Sequence, residues 1–260
     1  MYSKKAVLDS FSRFSSTYDE YAEAQAQAAS FLATFINENV KKLPCGPILE
    51  IGCGTGFVTR EILPLFPDSF FLITDISDKM AETCRDHLAV LDINCENAVF
   101  ASYDGESCWP ENRFSMIFSG FTFQWFSNLQ ESLLCMYRSL LPGGILVFSF
   151  QSEGSFPEWE EACKRLDIPF TANPLPSIDD VSKLLSGFGI KSTILKKTIP
   201  VNYRSSADFF RAIKRIGAGT MTREEHLSPS TMKKLIKEWD EMAGRNLTVT
   251  YKAGLVFIKK

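Results

Sequence analysis

The stretch LEIGCGTGFVT, residues 49–59, decides the fold. Leu49 and Ile51 close an apolar run that starts at Ile48, Glu50 stands within it, and Gly52, Gly54 and Gly56 follow at alternate positions. A helical pattern then begins in FVTREILPLF. Strand, glycine loop and helix in that order open a βαβ unit, in which main chain without Cβ atoms comes close to a ligand. The register excludes a dinucleotide fingerprint, because G-x-G-x-x-G requires glycine where Phe57 stands.

Working outward from this loop, strands and helices alternate. SFFLITD is a second strand and DKMAETCRDHLAVL a helix; NAVFASYD, RFSMIFSGF and, entered through a Pro-Gly-Gly turn, PGGILVFSF are three more strands, with the helix LQESLLCMYRSLL before the last. Such alternation implies parallel crossovers and a doubly wound α/β sheet. IKSTILKKTIPVNY is predicted as a sixth strand and LTVTYKAGLVFIKK as the last. Residues 6–43 carry helical spacing, read as two helices that stop at LPCGP. The chain therefore divides into an N-terminal helical arm or cap, 1–43, and a domain over 44–260. Insertions at about 151–187 and 205–244 are candidate lids, since ligands of open α/β sheets bind at the carboxyl ends of the strands.

Composition narrows the function classes. With 260 residues, 45% hydrophobic, the chain can form one large domain with an insertion or two small ones. The seven cysteines are odd in number with no CxxC pair, and His87 and His226 lie far apart, so neither a disulfide scaffold nor a metal site is expected and a reducing compartment fits. No signal peptide and no membrane-spanning run is visible; the chain reads as cytoplasmic, with no membrane partner. A formal charge of -3 argues against nucleic acid as a partner.

The E-x-G-x-G-x-G spacing from Glu50 to Gly56 resembles motif I of class I S-adenosylmethionine-dependent methyltransferases. The resemblance implies a Rossmann-like sheet of seven strands, the last antiparallel, and S-adenosylmethionine as cofactor. Glu50 would place a negative charge near the cationic amino acid moiety, and Asp75, at the end of FFLITD, would accept both ribose hydroxyls. Asp104 in SYDGES would bind the adenine amino group, Ile76 and Met80 would wall the adenine, and Ser119 would join the cofactor site. The plainer reading makes the loop a tight turn with Asp75 as a helix cap. Cys53 reads as a small filler rather than a nucleophile.

Three further stretches, FSRFSSTYDEYAEAQ (11–25), FTFQWFSN (121–128) and FFRAIKRIGAG (209–219), together with QSEGSFPEWEEA and the closing LTVTYKAGLVFIKK, resemble the malonyl-acyl-carrier-protein O-methyltransferases of biotin synthesis over nearly the whole chain. That resemblance implies methyl transfer to the free carboxyl of a malonyl thioester, with malonyl-loaded acyl carrier protein or malonyl-coenzyme A as partner. A carboxyl group titrates near about 4, so the nucleophile is ionised at neutral pH and needs no general base. Tyr18, Phe121, Phe123 and Trp125 would form an aromatic acceptor site, with Tyr18 or Gln124 donating to the acceptor.

Arg211, Lys214 and Arg215 share one helical face opposite Phe209, Ile213 and Ile216. Arg211, aided by Lys214, is the candidate for the malonyl carboxylate. Residues 191–215 hold seven basic side chains against one acidic, a patch suited to an acidic carrier. Gly120 departs from the family, whose members often carry asparagine there. The remaining alternatives are another class I methyltransferase acting on a small carboxylic acid or quinone precursor, and a cofactor-binding subunit without catalysis of its own.

Overall fold

The computed structural model describes residues 4–218 and 227–260. His226, Gly219 and the part of the second insertion between residues 219 and 226 lie outside the described residues. Seven strands form one sheet in the order β3-β2-β1-β4-β5-β7-β6: β1 Ile48–Ile51, β2 Phe71–Asp75, β3 Ala98–Ser102, β4 Phe114–Gly120, β5 Leu140–Gln151, β6 Ser192–Tyr203 and β7 Leu247–Lys259. The first five run parallel, and β7 is antiparallel to both β5 and β6. β1 is buried along its whole length, which is why ILEI reads as apolar without alternation.

Pro142, Gly143 and Gly144 do not precede β5 as expected. Leu140 already pairs with Phe114, and the register then jumps to Met116 opposite Ile145, so the three residues form an irregularity inside the strand. Gly143 takes φ +79° and donates to the Lys260 carbonyl at 2.9 Å, bringing the chain's last residue onto the sheet.

The helices are α1 Lys4–Phe14, α2 Glu23–Asn39, α3 Thr59–Ile62, α4 Asp78–Val90, α5 Leu129–Ser139, α6 Pro157–Arg165, α7 Ile178–Gly187, α8 Ser206–Arg215 and α9 Pro229–Ala243. Five of them start on a capping side chain: Ser77, Asn128, Ser177, Ser205 and Ser228 each accept the N–H three residues on. α3 stops after one turn because Pro64 follows, and the chain continues as a 3₁₀ turn.

Two apolar layers cover the sheet. α2, α3 and α4 contribute Leu32, Ile36, Ile62 and Leu88 to one, and α5 and α7 contribute Leu133, Met136, Val181 and Leu185 to the other. α6, α8 and α9 join the first layer through a cluster of rings, with Phe209 5.2 Å from Trp239 and Trp159 5.0 Å from Phe210.

Cys108 and Cys135 form a disulfide, a single bridge where the cysteine pattern predicts no disulfide scaffold. The two lie 27 residues apart, a spacing that no sequence motif marks, and the sheet brings their Cα atoms to 5.3 Å. No described helix is long and apolar enough to cross a membrane, and no described cluster of His, Cys, Asp and Glu could hold a metal ion.

Candidate active site

A cavity of about 1270 Å³, counting its part open to solvent, lies at the carboxyl ends of the parallel strands. The loop after β1 forms its floor. Gly52 has φ +70°, and a Cβ there would sit 2.2 Å from Thr122 Oγ1, so the loop and the segment after β4 can be this close only around a glycine. Gly54, at φ +54°, faces open space instead: an added Cβ would meet nothing within 4 Å, and bare main chain lines the cavity. Gly56 does not line it but packs against Cys84 of α4.

Asp75 ends β2 and is buried beside this loop. Its Oδ2 accepts the Gly54 N–H at 2.9 Å and its Oδ1 accepts the Ser77 N–H at 2.9 Å. Burial pushes its carboxyl up to about 6, against the pull of those backbone donors. The cap of α4 is Ser77, which removes the reading of Asp75 as a helix cap. Each carboxylate oxygen keeps a lone pair for a ligand.

Three residues expected at the cofactor are not on the cavity wall. Besides Gly56, Glu50 stands behind the loop: Oε2 accepts the Thr59 hydroxyl at 2.7 Å, Oε1 is buried without a hydrogen-bond partner, and burial pushes the carboxyl up to about 8. Its place in the middle of β1 turns it away from the ligand space. Ser119 donates to the Ile51 carbonyl at 2.7 Å and ties β4 to β1. Ile76 and Met80 do line the cavity. So does Asp104, whose carboxylate is paired with Lys4 Nζ at 2.7 Å; Lys4 also reaches Glu106 at 2.7 Å.

The rest of the wall is assembled from distant segments. Tyr18 lies in the 3₁₀ turn Ser15–Glu20, whose Asp19 accepts the hydroxyl of Thr55 in the glycine loop at 2.5 Å and so fixes the turn over the cavity. Burial, with the charges of Asp75 and Asp19, raises the Tyr18 phenol well above its ordinary value and keeps it a donor. Trp125 lines the cavity and meets Phe11 of α1 edge to face at 5.4 Å. Phe121 follows β4 at φ +49°, an unfavourable conformation for a bulky side chain, held by its N–H to the Ser149 carbonyl at 3.0 Å. Gln124 lines the wall, but its amide is engaged within the chain, Nε2 donating to the Phe121 carbonyl at 2.7 Å.

Other expectations are corrected here. Phe123 does not face the cavity; it stacks on Phe148 at 4.3 Å in the core. Arg211 and Lys214 do not line it either. α8 presents Ile213 and Ile216 to the cavity, while Arg211 is exposed and paired with Asp208, which also holds Arg204 at 2.8 Å. The apolar stripe turns inward because burying a guanidinium there would strip its hydration. Cys53 is a filler: a hydrogen bond with Cys84 and burial raise its thiol well above the ordinary value, so it is not a thiolate.

Sequence reasoning passed over Lys4, Phe11, Gln25, Ser149 and Gln151 as wall residues. Gln151 directly follows the predicted strand PGGILVFSF, at the carboxyl end where ligands of open α/β sheets bind, and so carries a usable signal; Lys4 lies 100 residues from Asp104 and carries none.

Residues 49–146 match the methyltransferase domain family. Among solved structures, the YcgJ protein of Bacillus subtilis has the same fold, with a TM-score of 0.62 at 16% identity over 89% of this chain and 98% of that one. Geranyl diphosphate C-methyltransferase of Streptomyces coelicolor, solved with S-adenosyl-L-homocysteine, gives 0.54 at 13% identity over 88% and 78%. The Malonyl-[acyl-carrier protein] O-methyltransferase 2 of Ilyobacter polytropus is 35% identical over 225 residues, 85% of this chain and 83% of that protein. On that similarity, which spans the glycine loop and most of the rest of the chain, it belongs to the malonyl-[acyl-carrier protein] O-methyltransferase family.

Proposed function

We propose that the chain transfers a methyl group from S-adenosylmethionine to the free carboxyl of a malonyl group held as a thioester on acyl carrier protein. One observation carries this reading: a single cavity is lined both by bare glycine main chain with a buried carboxylate and by aromatic, hydrogen-bonding side chains. The donor set fits the cofactor. Gly54 leaves room against the backbone, Asp75 retains acceptor capacity for two ribose hydroxyls, and Ile76 and Met80 offer an apolar slot near Asp104. When bound, S-adenosylmethionine supplies a methyl group on a cationic sulfur.

The residues then have to orient and dehydrate, because the acceptor arrives ionised. A carboxylate oxygen forms the new bond to carbon as the carbon–sulfur bond breaks, the sulfur keeps the bonding pair, and no proton changes hands. Tyr18 donates to the acceptor without losing its proton. Phe11, Phe121, Trp125, Ile213 and Ile216 exclude water, which strengthens the attraction between the two opposite charges before they cancel. The product is a neutral methyl ester whose hidden charge lets chain-elongating enzymes treat it as an alkyl end, the priming step of pimeloyl and biotin synthesis.

Lys214 and Arg215 are exposed on α8 beside the two isoleucines of the wall. They present a basic face that would steer an acidic carrier. Arg211 belongs to this face rather than to the carboxylate.

The test offers methyl-labelled cofactor to malonyl-carrier, malonyl-coenzyme A and unacylated carrier side by side. Label on the malonyl-carrier, and none on the unacylated carrier, supports the reading. Cofactor binding without transfer to either malonyl thioester would overturn it in favour of a binding subunit.

A further inference from the structure

With Arg211 committed to Asp208, the acceptor carboxylate needs another partner, and β5 provides one at its last residue. Gln151 lines the cavity, and its side-chain Nε2 is buried without a hydrogen-bond partner among the described residues. Buried amide donors are otherwise almost always paired, so an orphan in a cavity wall marks the place of a ligand acceptor.

Its surroundings hold it in place. The Gln151 backbone N–H donates to Gln124 Oε1 at 3.4 Å, while Gln124 Nε2 is fixed on the Phe121 carbonyl, so Gln124 braces the end of β5 against the segment after β4. β5 neighbours β4 on the side away from β1, β2 and β3, the strands that carry the glycine loop, Asp75 and Asp104. Gln151 therefore stands on the acceptor side of the sheet.

We propose that Gln151 Nε2 holds the acceptor carboxylate, a residue contact that rests on the methyl-transfer reading above. A neutral amide suits this chemistry. A guanidinium would pair both oxygens and draw off their electron density, whereas one amide donor restrains one oxygen and leaves the other free to attack. Gln124 is then a positioning residue that acts through Gln151.

The full chain is assayed with malonyl-carrier as wild type, Gln151→Leu and Gln151→Glu, with cofactor affinity measured by calorimetry. Gln151→Leu is expected to lower kcat/KM about 10- to 100-fold, the loss of one hydrogen bond to a charged group, with cofactor Kd changed less than about twofold. Gln151→Glu is expected to be weaker still at pH 8 and to recover several-fold as pH falls towards 5.5, because only its protonated form can donate; a merely structural role would not produce that profile. Should Gln151→Leu not fold, the pH profile of Gln151→Glu decides alone. Unchanged kcat/KM, a loss confined to cofactor affinity, or a Gln151→Glu profile parallel to wild type would overturn the assignment. Wild type inactive on every malonyl thioester would instead overturn the parent reading, and this one with it.

Discussion

The two parts of the cavity wall are built in different ways. In one part, strand termini and a short loop form the wall: Gly52 and Gly54 at positive φ, and Asp75 clamped between two backbone N–H groups. In the other part, side chains arrive from α1, the turn holding Tyr18, the segment after β4, the end of β5, and α8. A site made of main chain depends on local sequence and tolerates little change. A site made of borrowed side chains can be re-specified one residue at a time, which suits a fold whose members share a cofactor and differ in acceptor.

The strongest way to break this contrast is Asp75→Ala. It removes the proposed ribose acceptor and also the brace on Gly54, so cofactor affinity is expected to fall by about 100-fold or more, roughly 3 kcal/mol. Calorimetric titration checks it; affinity within threefold of wild type would show that the loop does not depend on this carboxylate.

A smaller effect sharpens the role of Glu50. Burial lifts its carboxyl to about 8 and that of Asp75 to about 6. Between the ordinary carboxylate value and those figures the folded chain keeps protons that the unfolded chain has lost, so ligand-free stability falls as pH rises from about 4 to about 8. Glu50→Gln should abolish the slope between pH 6 and 8, at most about 1.4 kcal/mol per pH unit, and leave the Asp75 portion below pH 6. Denaturant midpoints across pH measure it, and a variant with the wild-type slope above pH 6 would contradict the assignment.

The smallest expected effect is informative because it is small. Arg211→Ala should change kcat/KM for malonyl-coenzyme A by less than about twofold, since an exposed ion pair contributes little. A loss of tenfold or more would return Arg211 to the carboxylate.

The same contrast explains what could be read from sequence. Seven strands and the glycine loop were legible because each is a contiguous pattern, and the run from Glu50 to Gly56 with Asp75 falls within 26 residues. On α8 both faces are legible too, but which one lines the cavity depends on the cost of burying a cation, and Ile213 and Ile216 take that place. The Lys4–Asp104 pair and the Cys108–Cys135 bridge depend on sheet packing across 100 and 27 residues and leave no local mark. Ser119 and Glu50 sit at strand positions whose facing depends on register, and both turn to the core.

The central claim is that this cavity makes a carboxyl ester. Carbon-13 NMR of malonyl-carrier after incubation with the chain and methyl-labelled S-adenosylmethionine tests it most directly. The account predicts one new O-methyl ester resonance on the malonyl group; a label found on carbon, or none on the malonyl group, would contradict it.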